Sequence, residues 1–171
     1  MNDKTRDLIE LMIRSVTLND AKELVAIYNH YVLNTVVTFD DIPFSKEAFK
    51  DKIASIISNY PFFVYEEDTK ILGYAYANKW REKPAYSHTV ESTVYVHHEA
   101  QGKQIGFKLY TELLNHLKAD KYHVVVGGLT LPNDASVKLH EKFGFKQVAH
   151  FKQVGLKFNS WLDVGFWQLT F

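Results

Sequence analysis

Apolar residues recur along this chain in two alternating rhythms, one of period two and one near 3.6, and the switches between them divide it into elements. Residues 12–17 read as a short strand. Thr17-Leu18-Asn19-Asp20 offers a helix cap with an acid in the first turn, and Leu24, Ile27, Tyr28 and Tyr31 follow at helical spacing. Residues 36–40 are extended until Asp41-Ile42-Pro43 breaks them. Ser45 caps a second helix with Phe49, Ile53, Ile56 and Ile57 on one side, and Tyr60-Pro61 ends it, because the residue before proline avoids the α region.

Three β-rich runs come next, over residues 62–66, 71–80 and 87–96. The turn Asp68-Thr69-Lys70 predicts an antiparallel meander. Ile105, Leu109, Leu113, Leu114 and Leu117 mark a helix reaching residue 120. A buried strand is expected over 122–127, and Leu131-Pro132-Asn133-Asp134 opens a further helix. That helix ends at Phe143-Gly144, where glycine suits a left-handed cap. Residues 144–157 and 161–170 close the chain as two strands. The order β-α-α-β-β-β-α-β-α-β-β predicts one α/β domain over residues 12–171, with a mixed, mostly antiparallel sheet flanked by helices. Residues 1–11 read as an N-terminal extension.

Composition narrows the function. The chain has 171 residues, enough for one domain with a substantial core, and its 46% hydrophobic and 15% aromatic content argues against disorder. Twenty basic residues balance twenty acidic ones, so the basic excess of a nucleic-acid binder is missing. Cysteine is absent, which excludes disulfides, thiolate metal sites and a cysteine nucleophile. No apolar run approaches the ~20 residues of a membrane span, and the first eleven residues lack the apolar centre of a signal peptide. A soluble, cytoplasmic protein with neither nucleic-acid nor membrane partner is the expectation.

The candidate chemistry begins where the strand ending Val94-Tyr95-Val96 runs through Gln101-Gly102-Lys103-Gln104-Ile105-Gly106 into a helix. A strand, a glycine-bearing turn and a helix N-terminus make an anion site, since backbone N–H groups and the helix dipole favour a phosphate there. His97-His98 invites a metal reading, but neighbours on a strand point to opposite faces, so no metal site is expected.

These elements, with Tyr28-Asn29-His30-Tyr31-Val32, Thr38-Phe39-Asp40, Tyr60-Pro61-Phe62-Phe63-Val64, Gly73-Tyr74-Ala75-Tyr76-Ala77, Thr89-Val90-Glu91-Ser92-Thr93-Val94-Tyr95-Val96, Leu139-His140-Glu141-Lys142-Phe143-Gly144-Phe145 and Val154-Gly155-Leu156-Lys157-Phe158, resemble the GCN5-related N-acetyltransferase superfamily. More closely, they resemble its phosphinothricin acetyltransferase branch. The resemblance implies acetyl-CoA as cosubstrate. Its pyrophosphate would lie on Gly102, Lys103, Gln104, Ile105, Gly106 and Phe107, its pantetheine arm along Val94, Tyr95 and Val96, with Asn133 contacting the arm from the next helix. Asn133 equally suits a helix cap. Two departures stand out: Gln104 occupies a position usually held by glycine, and Lys83 and Ser87 stand where the branch tends to have arginine.

Acetyl transfer needs a neutral amine, and amines with a pKa of roughly 8 to 10 are mostly protonated near neutrality, so a base is required. The resemblance implies Glu91, which alternation places on one strand face with Thr89, Thr93 and Tyr95. It also implies a role for His140, seven residues after Asn133, in donating a proton to departing CoA or holding the amine. Phe39, Arg81, Lys83, Ser92 and Thr93 join Glu91 as the implied substrate-binding set, the cations pairing with a carboxylate. The acetyl group would pass directly within a ternary complex to a small amino acid or analogue, such as phosphinothricin, methionine sulfoximine or methionine sulfone. Acetylation of peptide N-termini or polyamines, and a non-catalytic CoA sensor, are the alternatives. Branch members are often dimers, and a homodimer is expected.

Overall fold

The computed structural model describes residues 12–171, and the extension assigned to residues 1–11 lies outside them. Among the described residues, seven strands form one sheet: β1 (Ile13–Ser15), β2 (Phe62–Glu67), β3 (Lys70–Lys79), β4 (Thr89–Val96), β5 (Val124–Leu131), β6 (Lys146–Lys157) and β7 (Ser160–Thr170). The α-helices are α1 (Ala21–Asn34), α2 (Lys46–Ile57), α3 (Ile105–Ala119) and α4 (Asp134–Lys142). The spatial order is β1-β2-β3-β4-β5-β7-β6, antiparallel throughout except for the parallel pair β4–β5. The expected element order holds.

Strand alternation sorts the core onto two faces. Phe62, Val64, Tyr74 and Tyr76 point to one side, where α1 and α2 bury Leu24, Ile27, Tyr28, Phe49, Ile53 and Ile56. Phe63, Tyr65, Ala75 and Ala77 point to the other, beneath Ile105, Leu109, Tyr110, Leu113, Leu114 and Leu117 of α3. Burying each large apolar side chain contributes about 2 kcal/mol, so α3 is anchored well beyond its intrinsic helical tendency. Small residues on β3 let it approach: a Cβ at Gly73 would meet Ile105 at 3.0 Å and Leu109 at 3.1 Å.

Boundaries differ where hydrogen bonding decides them. A single 3-10 turn, Leu18–Asp20, precedes α1, and the Asp20 carboxylate accepts from the Thr17 N–H at 2.6 Å and from Arg14 at 2.8 Å. The α2 helix stops at Ile57, short of Tyr60-Pro61, because the Asn59 and Tyr60 N–H groups both close onto the Ile56 carbonyl. Residues 36–40 are irregular and belong to no strand. Gly144 takes the left-handed conformation at the end of α4, with φ +85°. The longest difference is β5, which continues past Gly127 to Leu131 because β7 pairs with it along its whole length.

The site is created by a partial pairing. β4 and β5 pair only at Thr89–Val124, Val90–Val125 and Glu91–Val126. Beyond Glu91 the two strands part, β4 staying with β3 and β5 with β7, so a wedge opens in the middle of the sheet.

Candidate active site

A cavity of about 520 Å³ fills the mouth of that wedge. Val94, Tyr95 and Val96 form one wall, the turn Gly102, Gln104, Ile105, Gly106 and Phe107 the floor, and Asn133 with Ser136, Leu139 and Lys142 of α4 the other wall. A smaller cavity of about 90 Å³ lies deeper, at the apex where the strands separate. Glu91, Ser92, Thr93, Tyr110, Gly128, Thr130 and His140 line it, and Val94, Tyr95 and Asn133 border both cavities.

The floor is a helix N-terminus left open. Gln104 caps α3 in the left-handed region (φ 61°, ψ 16°) and its side chain makes no capping bond. The first backbone bond of the helix runs from the Lys108 N–H to the Gln104 carbonyl, leaving the preceding N–H groups without a partner in the helix. Gly102 has φ +82° with no atom near a Cβ, so glycine serves conformation there. At Gly106 a Cβ would meet only ordinary contacts, 3.5 Å from Leu139 and 3.6 Å from Val96, and the residue lines the cavity floor. Lys103 lies in the same turn but is exposed and outside the lining. Lys138 and Lys142, one turn apart on α4, supply positive charge to the cavity wall instead, with Lys142 Nζ 4.2 Å above the Phe107 ring.

Asn133 caps α4, its side chain accepting from the Ser136 N–H at 3.2 Å, while still facing both cavities. Tyr31 reaches across from α1 and donates its hydroxyl proton to the Val96 carbonyl at 2.6 Å, tying the free end of β4 to the helix layer.

At the apex, Glu91 is half-buried, and burial raises its carboxyl above the usual range while the Arg81 charge partly offsets this. Arg81 is exposed and lines neither cavity; it lies over the Trp80 ring at 5.0 Å, and Trp80 packs edge-on against Phe166. Lys83 is exposed beside the 3-10 turn Pro84–Tyr86 and lines neither cavity. Phe39 packs across the bare face of Gly155 on β6 and likewise lies outside both linings.

His140 is 2% exposed. Its Nδ1 lies 2.8 Å from the Ser136 carbonyl and its Nε2 2.8 Å from the Tyr110 hydroxyl, which is 2.8 Å from Ser92 Oγ. Burial holds the imidazole below its ordinary pKa, so it is neutral near pH 7. Two adjacent glycines make room: a Cβ at Gly127 would overlap the His140 ring, and one at Gly128 would lie 3.2 Å from Glu91 Oε1 and 3.1 Å from Phe166. Tyr110, Tyr31, Lys138, Lys142 and this glycine pair were missed by sequence reasoning. The glycine pair carried a signal, since glycine inside a strand marks a close approach.

His97 and His98 do not point to opposite faces as strand neighbours would. β4 ends at Val96 and His98 opens a 3-10 turn, so the two rings stack at 4.6 Å instead of facing apart. With Glu99 they bring donor atoms within 4.8 Å of one another.

A splayed parallel strand pair thus joins an open helix N-terminus at the mouth to a carboxylate at the apex. The profile of the acetyltransferase (GNAT) domain matches residues 13–165, and the chain belongs to that family. It is 39% identical over 159 residues to a phosphinothricin N-acetyltransferase of Streptomyces viridochromogenes, covering 93% of this chain and 87% of that protein. It is 37% identical over 162 residues to an L-methionine sulfoximine/L-methionine sulfone acetyltransferase of Salmonella typhimurium, covering 93% and 94%. The crystal structure of a phosphinothricin acetyltransferase from Sinorhizobium meliloti in complex with acetyl-CoA superposes with a TM-score of 0.90 at 31% identity, covering 92% and 86%.

Proposed function

We propose that this protein transfers an acetyl group from acetyl-CoA to the amine of a small amino acid or analogue of the phosphinothricin, methionine sulfoximine or methionine sulfone type. The observation that carries the reading is the wedge between β4 and β5, whose wide mouth has unclaimed helix N–H groups and whose apex holds Glu91.

The residues present fit the cosubstrate. The N–H groups at the start of α3 suit its pyrophosphate, with Lys138 and Lys142 adding charge. The unpaired edge of Val94, Tyr95 and Val96 offers backbone partners to the pantetheine arm, and Asn133 stands opposite. When bound, acetyl-CoA supplies an activated acyl carbon at the apex. Glu91 then removes a proton from the substrate ammonium, and Arg81, whose charge is felt at Glu91, draws in a carboxylate. Transfer is direct within a ternary complex, and the absence of cysteine removes the thiol route to an acyl-enzyme.

The protein works as a homodimer, a reading supported by the sheet's edge strand β6 and the exposed Val148, Phe151, Val154, Leu156, Phe158 and Trp161 on the β6–β7 hairpin. Among the described residues no helix is long and apolar enough to cross a membrane.

The test is thiol release from acetyl-CoA against amino acids, sulfoximines, sulfones, peptides and polyamines. Turnover led by carboxylate-bearing amines supports the reading. Turnover confined to polyamines or peptides contradicts the substrate class.

A further inference from the structure

Three histidines and a glutamate gather where β4 leaves the sheet. His97 follows Val96, and His98 and Glu99 open the 3-10 turn that leads to the cavity floor. The donor atoms of His97, His98 and Glu99 lie within 4.8 Å of one another. Among the described residues this is the one group of three histidine or acidic side chains that converges so closely. His30 reaches over from α1 and lies flat on His98, the ring centroids 3.8 Å apart and the planes 5° from parallel.

The backbone beneath the group is pinned. The His97 N–H donates to the Leu72 carbonyl at 2.8 Å, the Ala100 N–H donates to the His97 carbonyl at 2.8 Å, and Ala100 is buried. The side chains are held far more weakly. Among the described residues, the one hydrogen bond made by these four side chains is a 3.3 Å contact in which His97 Nδ1 accepts from the Glu99 N–H. A ring nitrogen that accepts carries a bare lone pair, the state a metal requires. Ring stacking uses the imidazole faces and leaves such in-plane lone pairs uncommitted.

We propose that His97, His98 and Glu99 bind a divalent transition-metal ion of the zinc class, with His30 a positioning residue that backs the His98 ring. This goes beyond the acetyltransferase reading and does not depend on it. Two imidazoles and one carboxylate suit Zn²⁺, whereas Ca²⁺ and Mg²⁺ take oxygen ligands. Around an ion with bonds of about 2 Å, tetrahedral ligand atoms stand about 3.3 Å apart. His98 and Glu99 are exposed and His97 is half-buried, so side-chain rotations close the remaining gap while the backbone stays in place. The fourth position is left to water. Val96 before the group, and Ala100 and Gln101 after it, line the large cavity. The ion therefore clips the end of β4 to the turn before α3, and stabilises the folded chain by mass action.

The test is calorimetric titration of Zn²⁺ into tag-free, chelator-treated protein, with thermal melting alongside. One Zn²⁺ per chain is expected, with a Kd of about 10 μM or tighter and a rise in melting temperature. His98→Ala and Glu99→Ala change exposed positions and should fold. Each should weaken binding by at least about 10-fold and lose the rise in melting temperature. His30→Ala should weaken binding, and His30→Phe, which keeps a flat ring against His98, should restore it. Weaker binding by the wild type, unchanged affinity in His98→Ala, or a preference for Mg²⁺ over Zn²⁺ overturns the site. A loss in His30→Phe as large as that in His98→Ala overturns the role given to His30. A protein that binds Zn²⁺ in this way and acetylates no amine would overturn the acetyltransferase reading and leave the metal site standing.

Discussion

Gly127 and His140 occupy one another's space: a Cβ on Gly127 would overlap Nε2 of the imidazole and lie 2.7 Å from its Cδ2. The bare strand position is what lets a buried histidine lie flat against β5 and meet Tyr110. Gly127→Ala should therefore push the ring aside. We expect a loss of about 1–3 kcal/mol of stability, typical of an overpacked core, with a fall in kcat and little change in acetyl-CoA affinity. Urea unfolding and steady-state kinetics check this; an alanine variant with wild-type kcat would contradict it.

Glu91→Gln retains shape and removes the base. A drop in kcat of about 100-fold or more is expected, with the dependence of rate on pH flattened on its acidic side and acetyl-CoA binding preserved. An unchanged pH–rate profile would remove Glu91 from this role.

Arg81 lowers the carboxyl pKa of Glu91 against the opposing effect of burial. Replacing the guanidinium removes that stabilisation of the carboxylate, so the pKa rises further. In Arg81→Met the acidic limb of kcat/KM should move to higher pH, and KM for a carboxylate-bearing amine should increase. A limb that stays put or moves to lower pH would contradict the pairing.

Gln104 adopts a left-handed backbone that costs a residue with a Cβ about 1–2 kcal/mol. Gln104→Gly should raise stability by about 1 kcal/mol, read as a higher urea midpoint. A lower midpoint would mean that the side chain contributes more than the conformation costs.

Much of the fold was legible because the core is sorted by simple periodicities. Phe62/Phe63 and Tyr74/Ala75 alternate between faces, and Ile105, Leu109 and Leu113 repeat as a helix must. The open helix N-terminus was legible for the same local reason. The wedge was not, because it depends on where pairing between strands more than thirty residues apart stops, at Glu91–Val126. Tyr110 reads as one more apolar position on α3, and only the long-range approach of Ser92 and His140 gives its hydroxyl a purpose. Nothing in the local sequence marks Lys138 and Lys142, which meet the cavity only because α4 forms its second wall.

Calorimetric titration of CoA into wild type and Gly106→Val tests the central claim most directly. A Cβ at Gly106 meets only ordinary protein contacts, so the fold should persist, with a melting temperature near that of the wild type. The wild type should bind one CoA per chain, and the valine variant should lose binding by at least about 100-fold. Equal affinity in a folded variant would contradict a diphosphate seated on the N-terminus of α3.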